Sequence, residues 1–199
     1  MHIGRGHRII DVGCGSGATG QYLADLGVRA CGIDISFEAT RSASQIGRYA
    51  LVLQGDAESL PFADQVFDGA VFMGTLEHFF DPVKALREVI RALKPGASIC
   101  FLVPNSQFFL FKFMRGTGQP HEVPRTYEGW RQLFETEGLR IETVYRDTGP
   151  GLFEGGVLRG VLRMVVLAFF NLLPIRYTYQ FVFIGRSRDL QRDHKQSLE

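Results

Sequence analysis

Asp11-Val12-Gly13-Cys14-Gly15-Ser16-Gly17 stands between two segments of opposite character. Residues 8–12 before it are a β-branched run of the kind buried in a strand, and residues 19–26 after it space their apolar side chains as a helix does. A second short strand over 29–33, closing on Asp34, completes a βαβ unit. The glycine turn of such a unit lies at the carboxyl edge of a parallel sheet, where the ligands of open α/β sheets bind. Glycine suits that place because the backbone has to bend sharply and admit a ligand with no Cβ in the way.

The alternation continues outward from this unit. A helix is expected over 37–48, strands over 51–54 and 67–72, a helix over 83–93 stopped by Pro95-Gly96, and a strand over 98–103. Thr126 is placed to cap a helix running through Glu137, Gly138 ends it, and strands over 139–145 and 177–184 follow. The pattern predicts an α/β fold, a Rossmann-like doubly wound sheet of seven strands, within one domain over 1–188. Two stretches fall outside the alternation. One is 105–124, with the run Phe108-Phe109-Leu110-Phe111-Lys112-Phe113-Met114; the other is 149–174, which holds the apolar segment 157–173. Both connections should emerge at the carboxyl edge, beside the ligand site. The tail 189–199 is polar and receives no role.

Composition limits the function. The chain has 199 residues, 45% hydrophobic and 22% charged, which excludes a disordered or collagen-like chain. Net charge is +1; residues 1–104 carry 9 Lys/Arg against 11 Asp/Glu and the remainder 13 against 10, so nothing calls for nucleic acid. Cys14, Cys31 and Cys100 form no C-x-x-C pair and read as reduced thiols of a cytoplasmic protein. No apolar signal segment precedes the first strand. Arg159 and Arg163 interrupt 157–173, leaving too little uncharged chain for the ~20 residues that cross a bilayer.

The loop admits two cofactor classes. Gly15-Ser16-Gly17-Ala18-Thr19-Gly20 fits the dinucleotide fingerprint, with Asp34 near the expected distance, so an NAD(P)-dependent oxidoreductase is the alternative. Asp11 argues against it, because a carboxylate at the start of the loop repels a pyrophosphate and suits a ligand carrying an ammonium and a sulfonium. Asp34 can accept from ribose hydroxyls in either case, and Asp56, at the third strand end, can accept from an adenine amino group. Acids at three successive strand ends describe a site for S-adenosylmethionine.

At this point the sequence resembles the class I S-adenosylmethionine-dependent methyltransferases, especially the small-molecule branch that includes the ubiquinone and menaquinone biosynthesis methyltransferases. The resemblance covers about residues 8–104. It rests on the glycine loop, on Gly32-Ile33-Asp34-Ile35-Ser36, on Gly55-Asp56-Ala57-Glu58-Ser59-Leu60-Pro61-Phe62, on Phe67-Asp68 through Leu76-Glu77-His78, and on Leu93-Lys94-Pro95-Gly96. It implies that Gly13, Gly15 and Gly17 form the loop at the methionine moiety, that Asp34 with Ile35 meets the ribose, that Asp56 and Ala57 hold the adenine, and that Met73 lies beside the cofactor. It also implies an antiparallel last strand, which 177–184 can supply. Helices usually precede the first strand in the family, whereas here that strand starts within ten residues of Met1. Either the chain is truncated relative to its relatives, or the two apolar insertions or a second subunit provide the cover.

Methyl transfer is an in-line displacement in which positioning and desolvation supply much of the acceleration. A general base is optional; an oxygen acceptor usually needs one, and His78, at the carboxyl edge after the fourth strand, is the first candidate, against a plain capping role. His121 with Glu122 is the rival, Tyr127 a weaker one, and Glu77 reads as structural. The histidines show no metal-ligand spacing. The insertions read as a mutually buried cap or as an acceptor channel; 157–173, with Arg159, Arg163, Arg176, Arg186 and Arg188 around it, also suits peripheral contact with an anionic membrane or a homodimer interface. The expected function is methylation of a small lipophilic acceptor on oxygen or carbon, and the remaining alternative is a non-catalytic interaction protein.

Overall fold

The computed structural model describes residues 3–108, 122–147 and 174–188. The strands are β1 Arg8–Val12, β2 Arg29–Asp34, β3 Leu51–Gln54, β4 Phe67–Met73, β5 Leu93–Pro104, β6 Leu139–Asp147 and β7 Gln180–Ser187. Between them lie the helices α1 Ala18–Asp25, α2 Phe37–Ile46, α3 Pro82–Ala92 and α4 Tyr127–Thr136. One sheet joins the strands in the order β3-β2-β1-β4-β5-β7-β6. β1 pairs parallel with β2 and β4, and β7 runs antiparallel between β5 and β6. The seven-strand α/β architecture with an antiparallel last strand is thus as the sequence predicts.

Both faces of β1 are covered, which explains its unbroken apolar run. Ile10 and Val12 join the larger core with α3 and α4, while Ile9 joins a smaller one with Leu23 of α1. α3 turns Ala85, Leu86, Val89 and Ala92 inward at helical spacing, and its start is fixed by Asp81, whose side chain accepts from the Lys84 amide at 2.9 Å. Thr126 caps α4 as expected, accepting from Gly129 at 3.0 Å. α4 delivers Trp130 and Phe134 to the sheet, where the Phe134 ring stacks on Phe101 at 4.1 Å.

Two strand starts differ from the sequence reading. β5 begins at Leu93 instead of 98 and runs through Pro95-Gly96, because Leu93 pairs with Phe67 before the register shifts to Gly69 and Ser98. β7 begins at Gln180 because Ile175–Tyr177 form a 3-10 turn after Pro174. Residues 109–121 and 148–173 lie outside the described residues, and with them His121, the segment 157–173 and most of both insertions; the tail 189–199 does too. The attachment points, Pro104 and Asp147, stand at the carboxyl edge. β2 and β3 lie to one side of β1, and β4 and β5 to the other, so the ends of β1 and β4 flank the topological switch point of the sheet.

Candidate active site

The glycine loop is tied to the end of β2. Gly13 and Cys14 amides donate to the Ile33 carbonyl at 2.8 and 3.0 Å, and the Gly15 amide donates to Asp34 Oδ2 at 2.9 Å. Asp34 Oδ1 accepts from Ser36 at 2.9 Å. Thr75, after β4, donates to the Val12 carbonyl at 2.9 Å, and a Cβ at Gly13 would overlap its side chain. The loop is therefore held from both neighbouring strands.

A cavity of about 620 Å³ opens over this edge. Gly13, Gly15, Asp34, Ile35, Asp56, Ala57, Met73 and His78 all line it, so the structure brings together most of the residues singled out in the sequence. At Gly15, φ 52, a Cβ would meet no heavy atom of the other described residues within 4 Å beyond its chain neighbours, so the bare backbone forms the wall. Asp56 Oδ1 accepts from the Glu58 amide at 2.8 Å, and Glu58 Oε1 from the Asp81 amide at 3.0 Å, which fixes the opposite wall. Asp11 and Gly17 do not line the cavity but stand behind it. Gly17, at φ 97, is the close approach of α1 to α2, where a Cβ would come within 2.9 Å of the Ala43 and Gly47 Cα atoms.

Asp11 is fully buried. Its Oδ2 accepts from the Tyr49 hydroxyl, and its Oδ1 has no hydrogen-bond partner among the described residues. Burial pushes its carboxyl up to about 6; the Tyr49 hydrogen bond works against that shift and the charge of Asp34 adds to it. Burial, with the charges of Asp11 and Asp34, pushes the Cys14 thiol up to about 12, which favours its protonated form. An orphaned buried carboxylate oxygen beneath a bare glycine wall fits a cofactor that brings a cation.

His78 ends a 3-10 turn, Leu76–His78, at the cavity rim. Its Nε2 stands 3.9 Å from Glu77 Oε1, an ion-pair distance too long for a hydrogen bond. Glu77 is buried, its Oε2 has no partner among the described residues, and desolvation, with the charge of Glu122, raises its carboxyl to about 7. The Glu77 carbonyl accepts from the Val123 amide at 2.9 Å, tying this turn to the chain that follows the first insertion. Sequence reasoning missed Thr75, Tyr49 and Phe80. Phe80 is 85% exposed on the cavity rim, a position marked in the sequence only by the doubled phenylalanine before Asp81. Among the described residues no group of three His, Cys, Asp or Glu side chains is placed to hold a metal ion, and no helix is long and apolar enough to cross a membrane.

The family described as a methyltransferase domain matches residues 10–101. The ubiquinone biosynthesis O-methyltransferase of Alkalilimnicola ehrlichii is 30% identical over 145 residues, covering 67% of this chain and 57% of that protein. The O-methyltransferase rstn1 of Aspergillus nomiae is 36% identical over 161 residues, covering 75% of this chain and 67% of that protein. Most of the curated relatives are thus matched over less than two thirds of their own length. Among solved structures, an S-adenosylmethionine-dependent methyltransferase from Methanosarcina mazei superposes with a TM-score of 0.71 at 22% identity, covering 94% of each chain, a likeness of fold. The nicotinamide alternative finds no support in these matches. A glycine loop pinned to an acidic strand end, acids in both cavity walls and these relatives agree: the chain belongs to the class I S-adenosylmethionine-dependent methyltransferases.

Proposed function

We propose that this chain transfers the methyl group of S-adenosylmethionine to a small lipophilic acceptor. The observation that carries this reading is the charge of the cavity: Asp34, Asp56 and Glu58 line it, and among the described residues no Lys or Arg does. Such a wall repels a diphosphate and attracts a cation. The cofactor, when bound, supplies a methyl group made electrophilic by its sulfonium. Asp34, whose oxygens each hold one backbone amide, retains acceptor capacity for the ribose hydroxyls. Asp56 and Ala57 hold the adenine, Ile35 and Met73 pack against the nucleoside, and Gly13 and Gly15 admit the methionine moiety.

His78 acts as general base toward the acceptor, since it lines the same cavity as the glycine loop. His121, its rival, lies outside the described residues. Both relatives named above carry O-methyltransferase in their names, which supports a hydroxyl acceptor, such as that of a quinol ring, over carbon. Residues 1–188 act as one domain, cytoplasmic, with the insertions 105–124 and 149–174 forming the acceptor side. Segment 157–173 supplies either peripheral membrane contact or a homodimer interface. The test is transfer of a labelled methyl group from the cofactor to a panel of phenols and hydroquinones of graded chain length. Label should pass into the organic extract and increase with acceptor lipophilicity; cofactor binding without transfer to any acceptor contradicts the proposal and favours a non-catalytic role.

A further inference from the structure

Tyr49 sits where α1, α2 and β2 meet. A Cβ at Gly20 or at Gly47 would overlap its ring, and one at Gly32 would stand 3.3 Å from it, so glycines of α1, of β2 and of the C-cap of α2 make room for the phenol. Arg48, just before it, takes a left-handed backbone at φ 54, a conformation costly for a residue with a side chain. That turn is fastened by Arg48 Nη1 donating to Asp25 Oδ1 at 2.6 Å and by Gln21 Nε2 donating to the Ile46 carbonyl at 3.0 Å. From this seat the Tyr49 hydroxyl donates to Asp11 Oδ2.

Among the described residues, the titratable groups that act on Asp11 are Tyr49, Cys14 of the loop and Asp34 of β2, and none brings a positive charge. A buried carboxylate with one orphaned oxygen and no cation weakens a fold. Its position two residues before Gly13 gives it another use. We propose that Tyr49 is a positioning residue for cofactor binding: by donating its hydroxyl to Asp11 it fixes a carboxylate beneath the glycine loop, where that charge attracts the ammonium and sulfonium groups of S-adenosylmethionine. This inference rests on the reading that the cavity takes that cofactor.

The test is calorimetric affinity for S-adenosylhomocysteine, which keeps the ammonium, measured from pH 5 to 8. Wild-type affinity should fall on acidification through about 6, where Asp11 gains its proton. Tyr49→Phe removes the hydrogen bond that holds Asp11 down, so the midpoint should move to higher pH and affinity at neutral pH should drop by about tenfold. Incorporating 3-fluorotyrosine at position 49, a more acidic donor of nearly the same shape, should move the midpoint to lower pH. Asp11→Asn should bind weakly with no such midpoint, and adding Tyr49→Phe to it should change little. A midpoint that stays at the wild-type value in Y49F overturns the inference, whatever the affinity, because a purely scaffolding tyrosine does not move it. Should Y49F not fold, an unmoved midpoint in the fluorotyrosine protein overturns it equally. Wild-type protein that does not bind S-adenosylhomocysteine at all overturns the cofactor reading itself.

Discussion

The Gly15 amide donates to Asp34 Oδ2 at 2.9 Å across 19 residues of sequence, so one carboxylate both shapes the glycine loop and faces the cavity. Asp34→Ala removes one of the loop's ties to β2, leaving those to the Ile33 carbonyl, together with the proposed ribose acceptor. Affinity for S-adenosylhomocysteine should fall more than about tenfold, the scale of one charge-assisted hydrogen bond or more, and stability by about 1 kcal/mol. Calorimetry with a urea titration of the unliganded protein reads both, and unchanged affinity removes the ribose assignment.

Gly15 and Gly17 separate function from packing. Both have positive φ, but a Cβ at Gly15 meets nothing within 4 Å while one at Gly17 meets the backbone of α2 and its cap. Gly15→Ala should therefore cost about 1 kcal/mol of stability, the backbone penalty alone, and obstruct the cofactor. Gly17→Ala should lower stability by more, about 2 kcal/mol or above, since backbone has to move. Equal melting temperatures for the two variants contradict this division.

Glu77 gives the fold a pH dependence. Its carboxyl is raised from 4.5 to about 7, chiefly by burial, so the folded state favours the protonated form. The resulting destabilisation is absent below about pH 4.5, grows as pH rises, and is complete above about 7. Glu77→Gln, which cannot ionise, should be more stable than wild type at pH 8 by about 3 kcal/mol and indistinguishable near pH 4.5. Denaturant unfolding at these two pH values checks it; an advantage that does not depend on pH assigns the effect to hydrogen bonding instead.

His78→Asn should abolish turnover and leave S-adenosylhomocysteine affinity within about twofold, because a base toward the acceptor acts on the transition state and not on the bound cofactor. Retained methyl transfer rejects His78 as the base and directs attention to His121.

Local chemistry made much of the fold legible in the sequence. The β-branched run before the glycines, Thr126 ahead of an amphipathic stretch and Gly138 after it each mark a boundary through interactions within a few residues, and the structure places them accordingly. The starts of β5 and β7 were not legible, because the pairing of Leu93 with Phe67 and the turn after Pro174 depend on distant partners. In the site, Asp34, Asp56 and His78 could be located because they follow strands at one edge. Asp11 follows the same rule yet is sealed beneath the loop by Tyr49, 38 residues away, and only the spacing of Gly20, Gly32 and Gly47 hints at room for a ring.

Selection of a positively charged nucleoside cofactor by the acidic cavity beside the glycine loop is the physical basis of the proposed site. Its most direct measurement is a parallel titration of the purified protein with S-adenosylmethionine, S-adenosylhomocysteine, NAD and NADP, followed by calorimetry. Saturable binding of the two adenosyl compounds, with no heat from either dinucleotide, is the predicted result; tighter binding of NAD or NADP contradicts the account.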